Sequence, residues 1–182
     1  MKNLMKMVIN ERGFTLIELL IAIPITAAIV AAASGATIQI IQSTDASAHM
    51  NAVRQVQTSG HWVSHDAIQA QQISVPELPG FPFTLTWTDW DDSEVHQVRY
   101  SLQDMPSGDL KQLNRQETAG PGVTNMLVAQ YIDLSQSSCV WNEEEAILYF
   151  NITASVTGAR GEQIETRTYG VIPRSLFSIE EE

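Results

Sequence analysis

The strongest candidate for chemistry in this chain is one carboxylate placed where a charge is costly. Glu18 closes the segment Gly13-Phe14-Thr15-Leu16-Ile17-Glu18, and no charged residue occurs from Leu19 to Thr44. That run exceeds the roughly 20 residues an α-helix needs to cross the hydrocarbon core of a bilayer. A lone carboxylate there needs a partner or a purpose. Cutting the chain between Gly13 and Phe14 supplies the partner. Phe14 becomes a free amino terminus, and Glu18 lies four residues along on the same helical face. Its carboxylate can neutralise the new ammonium in its own chain or in a neighbour. An acid near a helix amino terminus also suits the macrodipole.

Other spacings are weaker. His61 and His65 stand four apart with Asp66 beside them, a spacing that can put two imidazoles on one metal. No Glu follows His61 and no third ligand is evident, so a polar helix face is the expectation. Asp89, Asp91, Asp92 and Glu94 form an acidic loop of the kind calcium uses, without the glycine and distal glutamate of an EF-hand. The expectation is a chain without a metal or cofactor, with this loop as the one calcium candidate. Asn151-Ile152-Thr153 matches a glycosylation acceptor by chance, in mid-strand. No phosphate loop, nucleophile elbow or dinucleotide fingerprint occurs, and the serines and histidines show no triad context. An enzyme is not expected.

Composition narrows the partners. The 182 residues carry a net charge of −11. Removing residues 1–13 takes away Lys2, Lys6, Arg12 and Glu11, leaving 7 basic against 20 acidic side chains, or −13. With no basic face, nucleic-acid binding is not expected. Cys139 is the sole cysteine, which excludes an intramolecular disulfide. It reads as a buried apolar thiol in a strand, with a bridge between chains as the alternative.

The elements that position these residues follow from periodicity. Ala46, His49, Val53, Val56, Gly60, Val63, Ala67 and Ala70 recur at steps of three and four after the apolar run. One helix is therefore expected from Phe14 to about Gln72, roughly 90 Å long. Its first half is apolar all round, and its second half is amphipathic and needs a cover. Pro24 crowds the Leu20 carbonyl and predicts a kink or a local opening. Pro76, Pro79, Gly80 and Pro82 then stop the helix. Alternation predicts strands at Phe83–Thr88 and Glu94–Leu102, a short one over Asp109–Arg115, then Ala146–Val156 and Glu162–Ile172. Val123–Leu134 reads as strand or short helix. Gly120-Pro121-Gly122 and Gly158-Ala159-Arg160-Gly161 are turns. Glu180-Glu181-Glu182 reads as a solvated, frayed tail.

Gly13-Phe14-Thr15-Leu16-Ile17-Glu18-Leu19-Leu20-Ile21-Ala22, behind a short basic leader, resembles the class III signal of type IV pilins and type II secretion pseudopilins. The resemblance implies cleavage after Gly13 by a prepilin peptidase, N-methylation of Phe14, and use of Glu18 in assembly. It implies an α+β, ladle-like fold: a long amino-terminal helix on an antiparallel sheet. The corresponding divisions are a leader at 1–13, a transmembrane half-helix at 14–43, an amphipathic half at 44–75 and a β-domain at 76–182. Expected partners are the peptidase, sibling pilins or pseudopilins, the inner-membrane assembly machinery and the membrane itself. The positive-inside rule keeps the leader cytoplasmic and sends the β-domain out, a single pass through the cytoplasmic membrane. An ordinary signal peptide shares the basic start and small residues such as Ala31-Ala32-Ala33, but it has no use for Glu18. A plain single-pass anchor is the third reading. A looser pattern, Trp87…Tyr100-Ser101-Leu102…Leu110…Leu113-Asn114-Arg115 and a final hairpin, resembles J-type minor pseudopilins and W-type minor pilins. The function implied is a minor subunit of a secretion or pilus-like assembly. The alternatives are a tip adhesin reading through Trp87–Glu94, or a major pilin of the shaft.

Overall fold

A computed structural model of the chain describes residues 15–91, 93–106 and 108–174. Gly13, Phe14, Asp92 and the Glu180–Glu182 tail lie outside those residues. Helix α1 runs Leu16–Gln69, and eight strands follow: β1 Gln72–Ser74, β2 Phe83–Thr88, β3 Val95–Asp104, β4 Lys111–Ala119, β5 Gly122–Ile132, β6 Ser138–Asn142, β7 Ile147–Thr157 and β8 Glu162–Val171. Contacts divide the chain into two units, residues 1–42 and 43–182.

In the first unit α1 is exposed on every side: Leu16 is 82% and Leu20 64% accessible. It is long and apolar enough to cross a membrane. Its hydroxyls are turned inward. Thr26 Oγ1 donates to the Ala22 carbonyl (2.8 Å), Ser34 Oγ to Val30 (2.8 Å) and Thr37 Oγ1 to Ala33 (3.0 Å). No hydroxyl of these three must therefore find a partner in lipid. The helix continues unbroken through Pro24, so the local opening that the sequence allows there does not form. One lost donor in a helix of this length leaves the flanking turns bonded.

In the second unit the remaining α1 residues pack on a curled antiparallel sheet of order β1-β2-β3-β4-β5-β7-β6, with β8 on the other side of β7. Strand β7 is shared along its length. β6 pairs with its first half, from Asn142↔Ile147 to Ser138↔Asn151, and β5 meets it at Ile132↔Ala154. Alternation sends Phe83, Leu85 and Trp87 of β2, Val98 and Tyr100 of β3, and Leu148, Phe150 and Ile152 of β7 into one core. Side chains of this size stabilise by about 1.5–3 kcal/mol each when fully buried. A 3-10 turn, Leu134–Gln136, covers the other face of β7. The Asp133 amide donates to the Thr153 carbonyl, and Thr153 Oγ1 donates to the Gln136 carbonyl.

The helical stripe differs from the expected one. Its buried residues are Ala48, Ala52, Val56, Ser59, Gly60, Val63, Asp66, Ala67 and Ala70, whereas Ala46 and His49 are exposed. Steps of four from Ala48 to Val56 follow the true face, and two polar residues sit on it because each is hydrogen-bonded. Small residues let the sheet approach. A Cβ on Gly60 would come within 2.0 Å of the Tyr169 ring, whose hydroxyl donates to the Val56 carbonyl at 3.0 Å.

The helix ends at Gln69 rather than near Gln72 because the sheet captures the chain: the Gln71 amide donates to Thr86 O at 2.8 Å. The expected Asp109–Arg115 strand extends to Ala119. Its pairing with β3 and β5 continues to a tight turn at Gly120-Pro121, where Gly120 has φ +49°. Val123–Leu134 is strand to Ile132, followed by the 3-10 turn. Strands β1 and β6 are not signalled by alternation. They are short edges defined by the neighbour each pairs with. Cys139 lies buried in β6, and burial pushes its thiol well above the ordinary range.

Candidate functional site

The amino-terminal end of α1 is built by its first described residues. Thr15 is the N-cap. Its amide and its hydroxyl both donate to Glu18 Oε2, each at 2.9 Å, and the Glu18 amide donates to Thr15 Oγ1 at 3.3 Å. This reciprocal arrangement is a capping box, and it satisfies two amides that a helix start otherwise leaves without partners. Glu18 thus has a structural role that its charge alone does not suggest. The signal was in the sequence: Thr-x-x-Glu directly before an apolar run. Only one carboxylate oxygen is used. Oε1 accepts no hydrogen bond from a described residue, so it can take a further donor such as an ammonium. The expected pairing with Phe14 and the cleavage point at Gly13 lie outside the described residues.

The second arrangement ties α1 to the sheet, and its centre is Asp66. Arg115 Nε donates to Asp66 Oδ2 at 2.7 Å and Nη2 to Oδ1 at 3.1 Å. The Tyr100 hydroxyl donates to Oδ2 at 2.5 Å. Register explains the convergence, because Tyr100 and Arg115 are direct cross-strand partners on the inward face of β3 and β4. The Asp66 side chain is 1% exposed and that of Arg115 9%. Nη1 of Arg115 turns to Glu117 Oε2 at 2.7 Å, and Glu117 Oε1 lies 3.2 Å from His96 Nδ1. The guanidinium also sits 5.4 Å from the Trp62 ring centroid, and His96 stacks on Trp87 at 5.3 Å.

Electrostatics follow from this geometry. Burial alone would lower the Arg115 guanidinium, but its hydrogen bonds to Asp66 and Glu117 outweigh that and hold it charged. Burial, with the Asp66 charge behind it, pushes the Tyr100 phenol well above its ordinary value. The hydrogen bond from Arg115 holds Glu117 below its ordinary value against a smaller opposing effect of burial. A phenol kept protonated and a carboxylate engaged on both oxygens offer no free nucleophile or base. The cluster fixes register between helix and sheet. Asp66 and Arg115 are 49 residues apart, and no local pattern links them.

Two further ties act along the same helix. Gln55 Oε1 accepts from the Gln130 amide at 2.8 Å, and Asp45 Oδ1 accepts from the Arg160 amide at 3.1 Å in the β7–β8 turn.

The other expected sites are placed as follows. His61 and His65 have ring centroids 6.4 Å apart, with Trp62 5.9 Å from the first and 6.4 Å from the second. His65 Nδ1 lies 3.4 Å from Asp66 Oδ1. Asp89 and Glu94 close the β2–β3 hairpin: the Asp89 amide donates to Glu94 O at 2.9 Å, and Asp89 Oδ1 accepts from the Trp90 amide at 2.8 Å. Among the described residues no group of three or more His, Cys, Asp or Glu is arranged to hold a metal ion. Trp90 stands 94% exposed at the hairpin tip.

No curated protein and no solved structure matches the chain. Residues 9–34 match the family model of the prokaryotic N-terminal methylation motif, a span that takes in Gly13, Phe14, the Thr15–Glu18 cap and most of the apolar helix. That match, with the apolar helix and the helix-on-sheet architecture behind it, supports a type IV pilin-like protein with a membrane anchor and a structural role.

Proposed function

We propose that the chain is a minor pseudopilin or minor pilin, a structural subunit of a type II secretion or type IV pilus-like assembly. The observation that carries this reading is the methylation-motif match over residues 9–34, whose first ten positions include Gly13, Phe14 and Glu18. A prepilin peptidase cuts between Gly13 and Phe14, Phe14 is N-methylated, and residues 14–43 anchor the product in the cytoplasmic membrane. The domain beyond then faces away from the cytoplasm. On assembly, Glu18 serves twice: Oε2 holds the cap on Thr15, and Oε1 receives the Phe14 ammonium of a neighbouring sibling. A carboxylate that is expensive alone becomes a registration device between helices. The J-type or W-type minor subunit is the favoured form.

The exposed Trp90 between Asp89 and Asp91 favours a second reading, a tip subunit that binds a surface through this hairpin. Terminal sequencing and mass analysis of protein from native membranes test the first. The expected terminus is Phe14 carrying one added methyl. An intact Met1, or a terminus near Ser34, would show an ordinary anchor or signal instead.

A further inference from the structure

The sheet has two edges that converge on one groove. Every strand pair is antiparallel, so direction alternates along β1-β2-β3-β4-β5-β7-β6. Seven alternating strands leave the first and the last, β1 and β6, running the same way. Both line a groove of about 470 Å³, together with the Val75–Leu78 segment and Glu143. That volume is within the range of about 300–1,000 Å³ typical of ligand sites. The amide of Cys139, one of the lining residues, donates to Pro79 O at 3.0 Å.

The hydrogen-bonding direction of each edge is fixed by its neighbours. The Thr88 amide donates to Gln71 Oε1 and the Gln71 amide to Thr86 O, so the even-numbered residues of β2 face β1. In the register Gln72↔Thr86 and Ser74↔Thr84, the Ile73 amide and carbonyl then point away from β2, into the groove. On β6 the Cys139 amide points away from β7 to reach Pro79, and by the same alternation Trp141 presents its backbone groups outward too.

We infer that this groove binds an extended, cationic peptide segment of a partner protein by strand addition. One inserted strand can run antiparallel to β1 and to β6 at once, because those two edges are parallel to each other. It would pair with Ile73 on one side and Trp141 on the other, and main-chain bonds would supply the affinity. Side-chain preference comes from the walls. Val140 (40% exposed) and Leu78 (72% exposed) offer apolar contact. Glu77 and Glu143 are exposed on the lining, where no described residue is a lysine, arginine or histidine. A lysine or arginine at alternate positions of the guest answers those charges. The chain's own Glu180-Glu181-Glu182 has the wrong sign for the groove.

The test uses the full chain in detergent micelles and a short fluorescein-labelled peptide alternating valine and lysine. Anisotropy should show saturable binding, weakened about tenfold when glutamate replaces lysine and abolished when proline replaces the central valine. Ile73→Pro should abolish binding without changing the circular dichroism, because the amide it removes points away from β2. Should that variant fold poorly, Glu77→Lys with Glu143→Lys should reverse the preference toward the glutamate peptide. Binding that survives both the proline peptide and Ile73→Pro would reduce the effect to surface charge and overturn the inference. Absence of saturable binding by the lysine peptide would overturn it as well.

Discussion

Replacing Asp66 by asparagine keeps the shape of the helix–sheet tie and removes its charge. The Asp66 side chain is 1% exposed and takes three hydrogen bonds, two from Arg115 and one from Tyr100. Removing one partner of a buried pair costs about 3–5 kcal/mol, mostly from the charge left behind. Arg115 keeps Glu117 at 2.7 Å, which places the loss at the lower end, about 3 kcal/mol. For a domain of this size each kcal/mol shifts the melting temperature by roughly 3 °C, so Asp66→Asn should melt about 10 °C lower. The assay is urea and thermal unfolding of a fragment spanning residues 44–182, which carries the tie and lacks the apolar run. Arg115→Met in the same background should then cost less than it does alone, because Arg115 has by then already lost its Asp66 partner and keeps only Glu117. A loss under about 1 kcal/mol, additive with Arg115→Met, would refute the claim that this pair sets the register.

Three further outcomes follow from other residues. Gly60→Ala should destabilise by about 1–3 kcal/mol despite the roughly 1 kcal/mol that alanine gains over glycine in a helix. Its Cβ meets the Tyr169 ring at 2.0 Å, and Tyr169→Ala should recover part of the loss in a melt of the double variant. The folded-state pKa of Glu117 lies below its ordinary value of 4.5, so its contribution is present above that pH and is lost as pH falls through the folded value. Unfolding of wild type and Glu117→Gln should accordingly converge in stability below pH 4.5. Glu18→Ala should be processed normally yet fail to co-purify sibling subunits, and Thr15→Ala should lose only the cap and assemble more nearly like wild type. Equal assembly by Glu18→Ala would leave Glu18 as a capping residue alone.

What the sequence disclosed divides by the range of the interaction. The stretch that matches the methylation-motif model, residues 9–34, is contiguous, and the alternation over Phe83–Thr88 and Ala146–Val156 is local. Those elements were readable. Local spacing also held Thr15-x-x-Glu18, which is overlooked when Glu18 is read only for its charge. The expected stripe drifted onto Ala46 and His49 because composition could not say that Ser59 and Asp66 would be buried. Their burial depends on the Gln55 carbonyl and on Arg115, the latter 49 residues beyond Asp66. Strands β1 and β6 carry too few residues to show a period. Their existence is a property of the strands they pair with.

The converging edges of β1 and β6 also bear on how the chain avoids itself. Two copies laid edge to edge would satisfy the same outward backbone groups, and such pairing is the usual start of strand-mediated aggregation. Here each copy would bring Glu77 and Glu143 to the junction, while Pro76 and Pro79 lack the amides a continuing ladder needs. Pairing of two copies through β1 and β6 is therefore disfavoured by like charge and by missing amides together.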